Sequence, residues 1–247
     1  RSPVNDAVKS NGLDVMTRHP KKLPVSLIKR LEAKLIALGF TERLLIENAS
    51  SNLAHEICAL SLGARALVVA GKGNNGADSL AAARKLLSRG YSICAVIVSE
   101  DALTEEVNFQ KKILCALGVR VMRITGASLA TLSGCLRRCD FVIDGLLGTG
   151  ARGKVSALLH EVISQVNASR RPIVACDIPS GLSPDDGTPL GIAIRADYTV
   201  TFLAEKKGFS TSTGRQFCGK VKVVDIGVSR ELLQKRSSIR RTKRRPQ

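Results

Sequence analysis

From residue 66 onward, short apolar runs of strand length alternate with longer stretches of helical periodicity. That alternation restricts the chain to a layered α/β fold. Strands separated by helices pair in parallel, and a parallel sheet needs cover on both faces. The runs at 66–70, 92–98, 119–124, 141–144 and 173–177 read as strands, with 198–202 and 221–225 as two more. Helical patterns lie between the first five, at 78–89, 104–117, 128–138 and 155–168. The run 92–98 is apolar almost throughout, the pattern of a strand buried on both faces. Two helices precede the first strand. Leu27, Ile28, Leu31, Leu35 and Leu38 make one stripe that opens after Pro24 and stops at Gly39. Thr41 then caps a second helix, which runs on to Leu62 and stops at Gly63. The expected fold is a three-layer αβα sandwich with a mostly parallel sheet and two N-terminal helices.

Composition narrows the function classes. The chain has 247 residues, 44% of them hydrophobic, enough for a substantial core. Aromatic residues make up only 3% and Trp is absent, so that core is built from Leu, Ile, Val and Ala. No apolar run approaches the ~20 residues of a membrane span, and the polar start has no signal-peptide core. Seven scattered cysteines are expected to be free thiols in a reducing, cytoplasmic setting. Cys135 and Cys139 could share a helix face, but no further Cys or His completes a zinc site. The formal net charge is +17. A basic body suits anionic ligands. The expected division is a polar arm at 1–22, one domain at 23–229 and a basic tail at 230–247. The tail reads as a solvated end or linker, and nucleic acid is not expected as a partner.

Three polar, glycine-rich loops each end a strand. The first is Gly71-Lys72-Gly73-Asn74-Asn75-Gly76-Ala77-Asp78. It matches G-x-G-x-x-G between a strand and a helix, with Glu100 and Asp101 after the next strand where a ribose-binding acid belongs. That context fits an NAD-dependent dehydrogenase. The asparagine pair and Asp78 at the helix start argue against a pyrophosphate there, and a capped glycine turn fits as well. The second loop starts at Asp144 and runs through Gly148-Thr149-Gly150-Ala151-Arg152-Gly153-Lys154. Three glycines, a hydroxyl and two cations can wrap a phosphate. The third is Asp177-Ile178-Pro179-Ser180-Gly181. Asp144 and Asp177 with the oxygens of Asn75 and Ser180 would make a hard-cation site; strand-end acids capping neighbouring helices would account for them equally well.

These loops in this order, with Leu45-Ile46-Glu47-Asn48-Ala49, Lys206-Lys207-Gly208-Phe209 and Val224-Asp225-Ile226-Gly227, resemble the YjeF N-terminal domain family, the NAD(P)H-hydrate epimerases. The resemblance spans roughly residues 44–227. It implies a Rossmann-like sandwich, often dimeric, that interconverts the R and S forms of hydrated NADH and NADPH. Asn74, Asn75, Gly76, Ala77 and Asp78 would bind the nucleotide, together with Gly148, Thr149, Gly150, Ala151, Arg152, Gly153 and Lys154. Asp177 would contact the hydrated ring and act as acid and base. Asn75, Asp144 and Ser180 would hold a potassium ion. An ADP- or ATP-dependent dehydratase, fused to the epimerase in many bacteria, would be the working partner. The sequence departs from the family pattern at Ala77 and Ser79, where Gly is usual, at Ser50 and at Arg152. Arg is no useful proton donor near neutral pH. A non-catalytic, RNA-associated binding and dimerisation module is the other role this domain type plays.

Overall fold

The structure, a computed structural model, describes residues 22–228. The polar arm up to residue 21 and the basic tail lie outside the described residues. Seven helices are found among them: α1 (Val25–Ala37), α2 (Glu42–Leu60), α3 (Asn74–Leu87), α4 (Glu105–Ala116), α5 (Ala130–Arg138), α6 (Ala157–Ala168) and the short α7 (Arg215–Cys218). The strands are β1 (Arg65–Ala70), β2 (Ser92–Val98), β3 (Arg120–Ile124), β4 (Phe141–Gly145), β5 (Ile173–Cys176), β6 (Tyr198–Phe202) and β7 (Lys220–Val224). They form one sheet in the order β3-β2-β1-β4-β5-β6-β7, with every pairing parallel. The order reverses between β1 and β4, which opens a crevice at their carboxyl ends.

The apolar runs resolve into two faces with period two. Ala66, Val68 and Ala70 of β1 join a core with Ile28 and Leu35 of α1, Leu53 and Ile57 of α2, Leu80 and Leu86 of α3, and Val107 of α4. Leu67 and Val69 point the other way, into a core with Leu132 and Leu136 of α5 and Val162 and Val166 of α6. The layers are therefore unequal, four helices against two. Thr41 caps α2 as expected: its hydroxyl accepts from Leu44 N at 3.1 Å, a contact worth typically ~1 kcal/mol.

One departure from the sequence expectation bears on the site. Helix α3 starts at Asn74, not Asp78. Small polar residues that mark a loop are also the residues a first helical turn prefers. The asparagine pair is thus the helix opening itself. After β5 the chain makes no helix; residues 177–197 cross to β6 as an irregular excursion. Ile178 and Leu182 from this excursion pack on Phe209 and Phe217 in a small separate core. That cluster is held by long-range contacts, which local periodicity does not announce.

Candidate active site

The sheet register brings the three loops together. Asp144 pairs with Val69 on one side and with Ala175 on the other, so the ends of β1, β4 and β5 lie side by side. The first two loops touch at Gly71, whose N–H donates to the Gly145 carbonyl at 2.9 Å. A Cβ at Gly71 would overlap the Leu146 carbonyl, and one at Gly76 would overlap the Gly71 carbonyl. Both neighbours are backbone and cannot swing aside. Gly71→Ala is expected to cost about 1–3 kcal/mol, the usual penalty for overpacking. Urea unfolding measures it; a midpoint equal to that of the unchanged protein would contradict this contact.

The loops enclose a cleft of about 510 Å³. Its lining includes Asn74, Asn75, Asp78, Gly148, Thr149, Gly150, Ala151 and Asp177 from the expected set. Gly76 and Ala77 are buried in the first turn of α3, behind that lining. The backbone at Ala77 is helical, and its N–H bonds to Gly73 O at 3.1 Å, which explains how a methyl is tolerated there. Arg152, Gly153 and Lys154 do not line the cleft. The Arg152 guanidinium turns back on its own loop and donates to the carbonyls of Thr149 at 2.9 Å and Ala151 at 2.6 Å.

Asp144 and Ser180 are fully buried. The Asp144 carboxylate accepts from Ser180 Oγ at 2.6 Å, Ser180 N at 2.8 Å and Leu146 N at 3.2 Å. Burial nevertheless pushes the Asp144 carboxyl up to about 6, against the pull of those three bonds. Beside it, Asn75 Nδ2 donates to Leu147 O at 2.9 Å, while Asn75 Oδ1 is buried with no hydrogen-bond partner. A Cβ on Gly148 would come within 3.2 Å of the Asn75 side chain, so the bare glycine makes room for it.

Asp177 sits one residue past β5 with φ +64°. Ile178 N bonds to Cys176 O at 2.7 Å, which closes a three-residue turn around Asp177. Such a backbone persists only where its surroundings hold it. Here Asp177 N donates to Val200 O at 2.8 Å, and Oδ1 accepts from Phe202 N at 3.0 Å and Thr201 Oγ1 at 3.2 Å. A third donor to Oδ1 is the ammonium of Lys206. That lysine is 1% exposed and also donates to Thr201 Oγ1 at 2.8 Å and Phe202 O at 3.1 Å. Asp177 Oδ2 takes no hydrogen bond among the described residues and belongs to a side chain that lines the cleft. Glu32, carried in by α1, lines the same cleft. Burial and the nearby Asp177 raise its carboxyl above the usual range, and burial with Asp177, Glu32 and Glu42 raises Asp78 well above it.

Lys206, Glu32, Phe202, Lys29 and Ile28 are cleft residues that sequence reasoning did not assign to the site. Lys206 was legible only as part of a resemblance motif. A lysine beside a second lysine in a loop looks solvated; its burial appears only in the fold, where the ammonium bonds to Asp177, Thr201 and Phe202 and the backbone pairs with Leu23. The acids after β2 are otherwise engaged. Asp101 pairs with Lys72, and Glu100 accepts from Gly126 N at 3.4 Å.

The sequence pattern described as "YjeF-related protein N-terminus" matches residues 42–208. The chain belongs to that family. It is 34% identical over 229 residues to a protein of Rhodopirellula baltica named NAD(P)H-hydrate epimerase, covering 91% of this chain and 93% of the relative. A Pirellula staleyi protein of the same name is 32% identical over 206 residues, covering 82% and 90%. A "Bifunctional NAD(P)H-hydrate repair enzyme Nnr" of Thermofilum pendens is 35% identical over 213 residues, and the match spans only 41% of that longer protein. The solved structure of yeast ynu0, YNL200c, superposes with a TM-score of 0.75 at 22% identity, over 87% of this chain and 93% of that one. The two share a fold.

The geometry explains several YjeF-type motifs. Asn48 Nδ2 donates to Ile226 O at 2.9 Å, and a Cβ on Gly227 would overlap the Asn48 amide. The Glu47-Asn48-Ala49 helix and the closing Asp225-Ile226-Gly227 are therefore two halves of one contact. Glu47 bridges α2 to α3 through Arg84 at 2.5 Å and Lys85 at 2.6 Å. The departures also find places. Ser50 Oγ accepts from Lys85 at 2.7 Å. Ser79 Oγ donates to Gly76 O at 2.9 Å in space left by Gly145, whose Cβ would strike it.

Proposed function

We propose that this YjeF-type domain is an NAD(P)H-hydrate epimerase. The observation that carries the reading is a carboxylate, Asp177, clamped on one oxygen and free on the other, at the wall of a cleft framed by glycine-rich loops. The substrate carries a hydroxyl at C6 of the reduced ring, next to the ring nitrogen. Asp177 Oδ2 delivers a proton to that hydroxyl. The nitrogen lone pair then expels water and leaves a planar iminium. Water adds to the opposite face and gives up a proton, which returns the carboxyl to its starting state. The bonds to Oδ1, the one from the buried Lys206 ammonium among them, hold the carboxylate still.

The resident cation in this reading is potassium. Asn75 Oδ1, buried and without a partner, fits it, as do the Asp144 carboxylate and the Ser180 hydroxyl: all are hard oxygen donors. A cation there would favour ionised Asp144 and draw the second loop against α3. It would supply positive charge near the nucleotide phosphates, which Thr149 and the loop N–H groups bind. The family resemblance also carries a homodimer, a cytoplasmic setting and a dehydratase partner into the proposal. Among the described residues, no helix is long and apolar enough to cross a membrane.

The test starts from hydrated NADPH depleted in its S form and follows the return to the equilibrium ratio by NMR. Acceleration in potassium buffer, weaker in sodium, is expected, with no redox change. Asn75→Ala should raise the half-maximal potassium concentration by about tenfold or more, since one direct oxygen donor is lost. Nucleotide binding without any acceleration would instead mark the domain as a non-catalytic binding module.

A further inference from the structure

A second cleft, of about 600 Å³, opens at the other end of the sheet, between α5 and the amino ends of β1, β2 and β3. Arg65, Arg120, Arg137 and Arg138 line it, and so do Cys94 and Cys135. Arg65 is neutralised by Asp140 at 2.6 Å. Among the described residues Arg120 and Arg138 have no ion-pair partner. The cleft is therefore strongly cationic. Cys94 Sγ on β2 lies 4.0 Å from Cys135 Sγ on α5, and both residues are only partly buried. The sulfurs are in van der Waals contact, and a shift of about 1 Å by each would reach the ≈2.05 Å of a disulfide. The helical neighbour Cys139 is excluded from the pair: it is buried and its Sγ donates to Leu136 O at 3.4 Å. Cys139, which follows the last residue of α5, lines the same cleft.

We propose that Cys94 and Cys135 form a thiol–disulfide exchange site for a small anionic disulfide, which the surrounding arginines draw into the cleft. The chemistry balances without a further reagent. The Cys135 thiolate attacks one sulfur of the small disulfide and expels the other as a thiolate, which takes up a proton. Cys94 then loses its proton and attacks the Cys135 sulfur of the mixed disulfide, expelling the second small thiol. Two protein thiols are oxidised and one disulfide is reduced to two thiols. Cys94 Sγ–H donates toward Cys135 Sγ, and burial, with the neighbouring Cys135, pushes the Cys94 thiol up to about 12; Cys135 is therefore the attacking partner and Cys94 the resolving one. That burial makes the second step slow at neutral pH and faster as pH rises. The bond would tie α5 to the sheet, away from the nucleotide cleft.

The experiment uses the full chain in a Cys115→Ser background, because Cys115 is exposed. The protein is incubated with oxidised glutathione near pH 8, quenched with acid, and digested for peptide mass mapping. A Cys94–Cys135 cross-link, with loss of two hydrogens from the intact mass, is expected. Cys94→Ser should trap a glutathione adduct on Cys135. Arg120→Ala with Arg138→Ala should slow cross-linking by glutathione roughly tenfold, as lost electrostatic steering does, and leave the rate with neutral 2-hydroxyethyl disulfide unchanged. Circular dichroism confirms that each variant is folded, so the result stands apart from any epimerase assay. Absence of the Cys94–Cys135 cross-link in folded protein overturns the site. Equal slowing with both reagents overturns the recognition of the anion.

Discussion

Asp177→Asn is expected to lower epimerase turnover by about 10²–10⁴-fold, the usual worth of one positioned acid and base. The size of the effect follows from what the amide keeps and what it loses. Its oxygen can still accept from Phe202 N and Thr201 Oγ1, which now meet Asp177 Oδ1 at 3.0 Å and 3.2 Å. The turn around residue 177 should survive, since it is fixed by backbone bonds from Ile178 N and to Val200 O. Nucleotide affinity should therefore change little. What disappears is the proton that the free oxygen gives and takes at the hydrated ring, together with the charge that balances buried Lys206. Single-turnover epimerisation, followed by NMR beside a direct binding isotherm, separates the two. Full turnover with normal binding would move the acid–base role elsewhere, and Glu32 or Asp78 on the same cleft would be the next residues to test.

Lys206→Met is expected to destabilise the fold by about 3 kcal/mol, the scale for breaking one side of a buried ion pair. The lysine is 1% exposed and spends its three donors on Asp177, Thr201 and Phe202. Methionine fills much the same volume, so cavity formation contributes little and the loss is mainly electrostatic. The Asp177 side chain, 15% exposed, would keep two donors but lose its counter-charge. Denaturant unfolding reads the cost. Combining Lys206→Met with Asp177→Asn should recover part of it, because the double variant leaves no unpaired charge; strict additivity would show that the two groups do not interact. Turnover should fall as well, because the clamp on Asp177 Oδ1 loses one of its three donors.

Much of the architecture was legible in order and type. Period-two alternation inside apolar runs, and helical stripes between them, are short-range properties. Thr41 as a cap, Gly39 as a stop, and seven strands in sequence all follow from residues within a turn or two of one another; α2 stops at Leu60, with Ser61 in the left-handed conformation, short of the expected Gly63. Where local signals overlap, the reading slips: Asn74 and Asn75 mark a loop and a helix start alike, and the structure chose the helix. The strand-end acids were visible as candidates, and their meaning stayed divided between a cation site and a cap. The buried, unpartnered oxygen of Asn75 beside fully bonded Asp144 is the feature that favours the cation, and it exists only once β1 and β4 are neighbours.

The sequence alone determined the strand and helix succession, the parallel class of the sheet and the three loops at strand ends, because each is encoded by spacing over a few residues. Tertiary structure alone decided the strand order, the burial of Lys206 against Asp177, the arrival of Glu32 from α1 and the contact of Cys94 with Cys135. Those contacts join residues far apart in the chain. Which charges lose water, and which thiols meet, is settled by the packing of whole layers and not by any pattern a single segment carries.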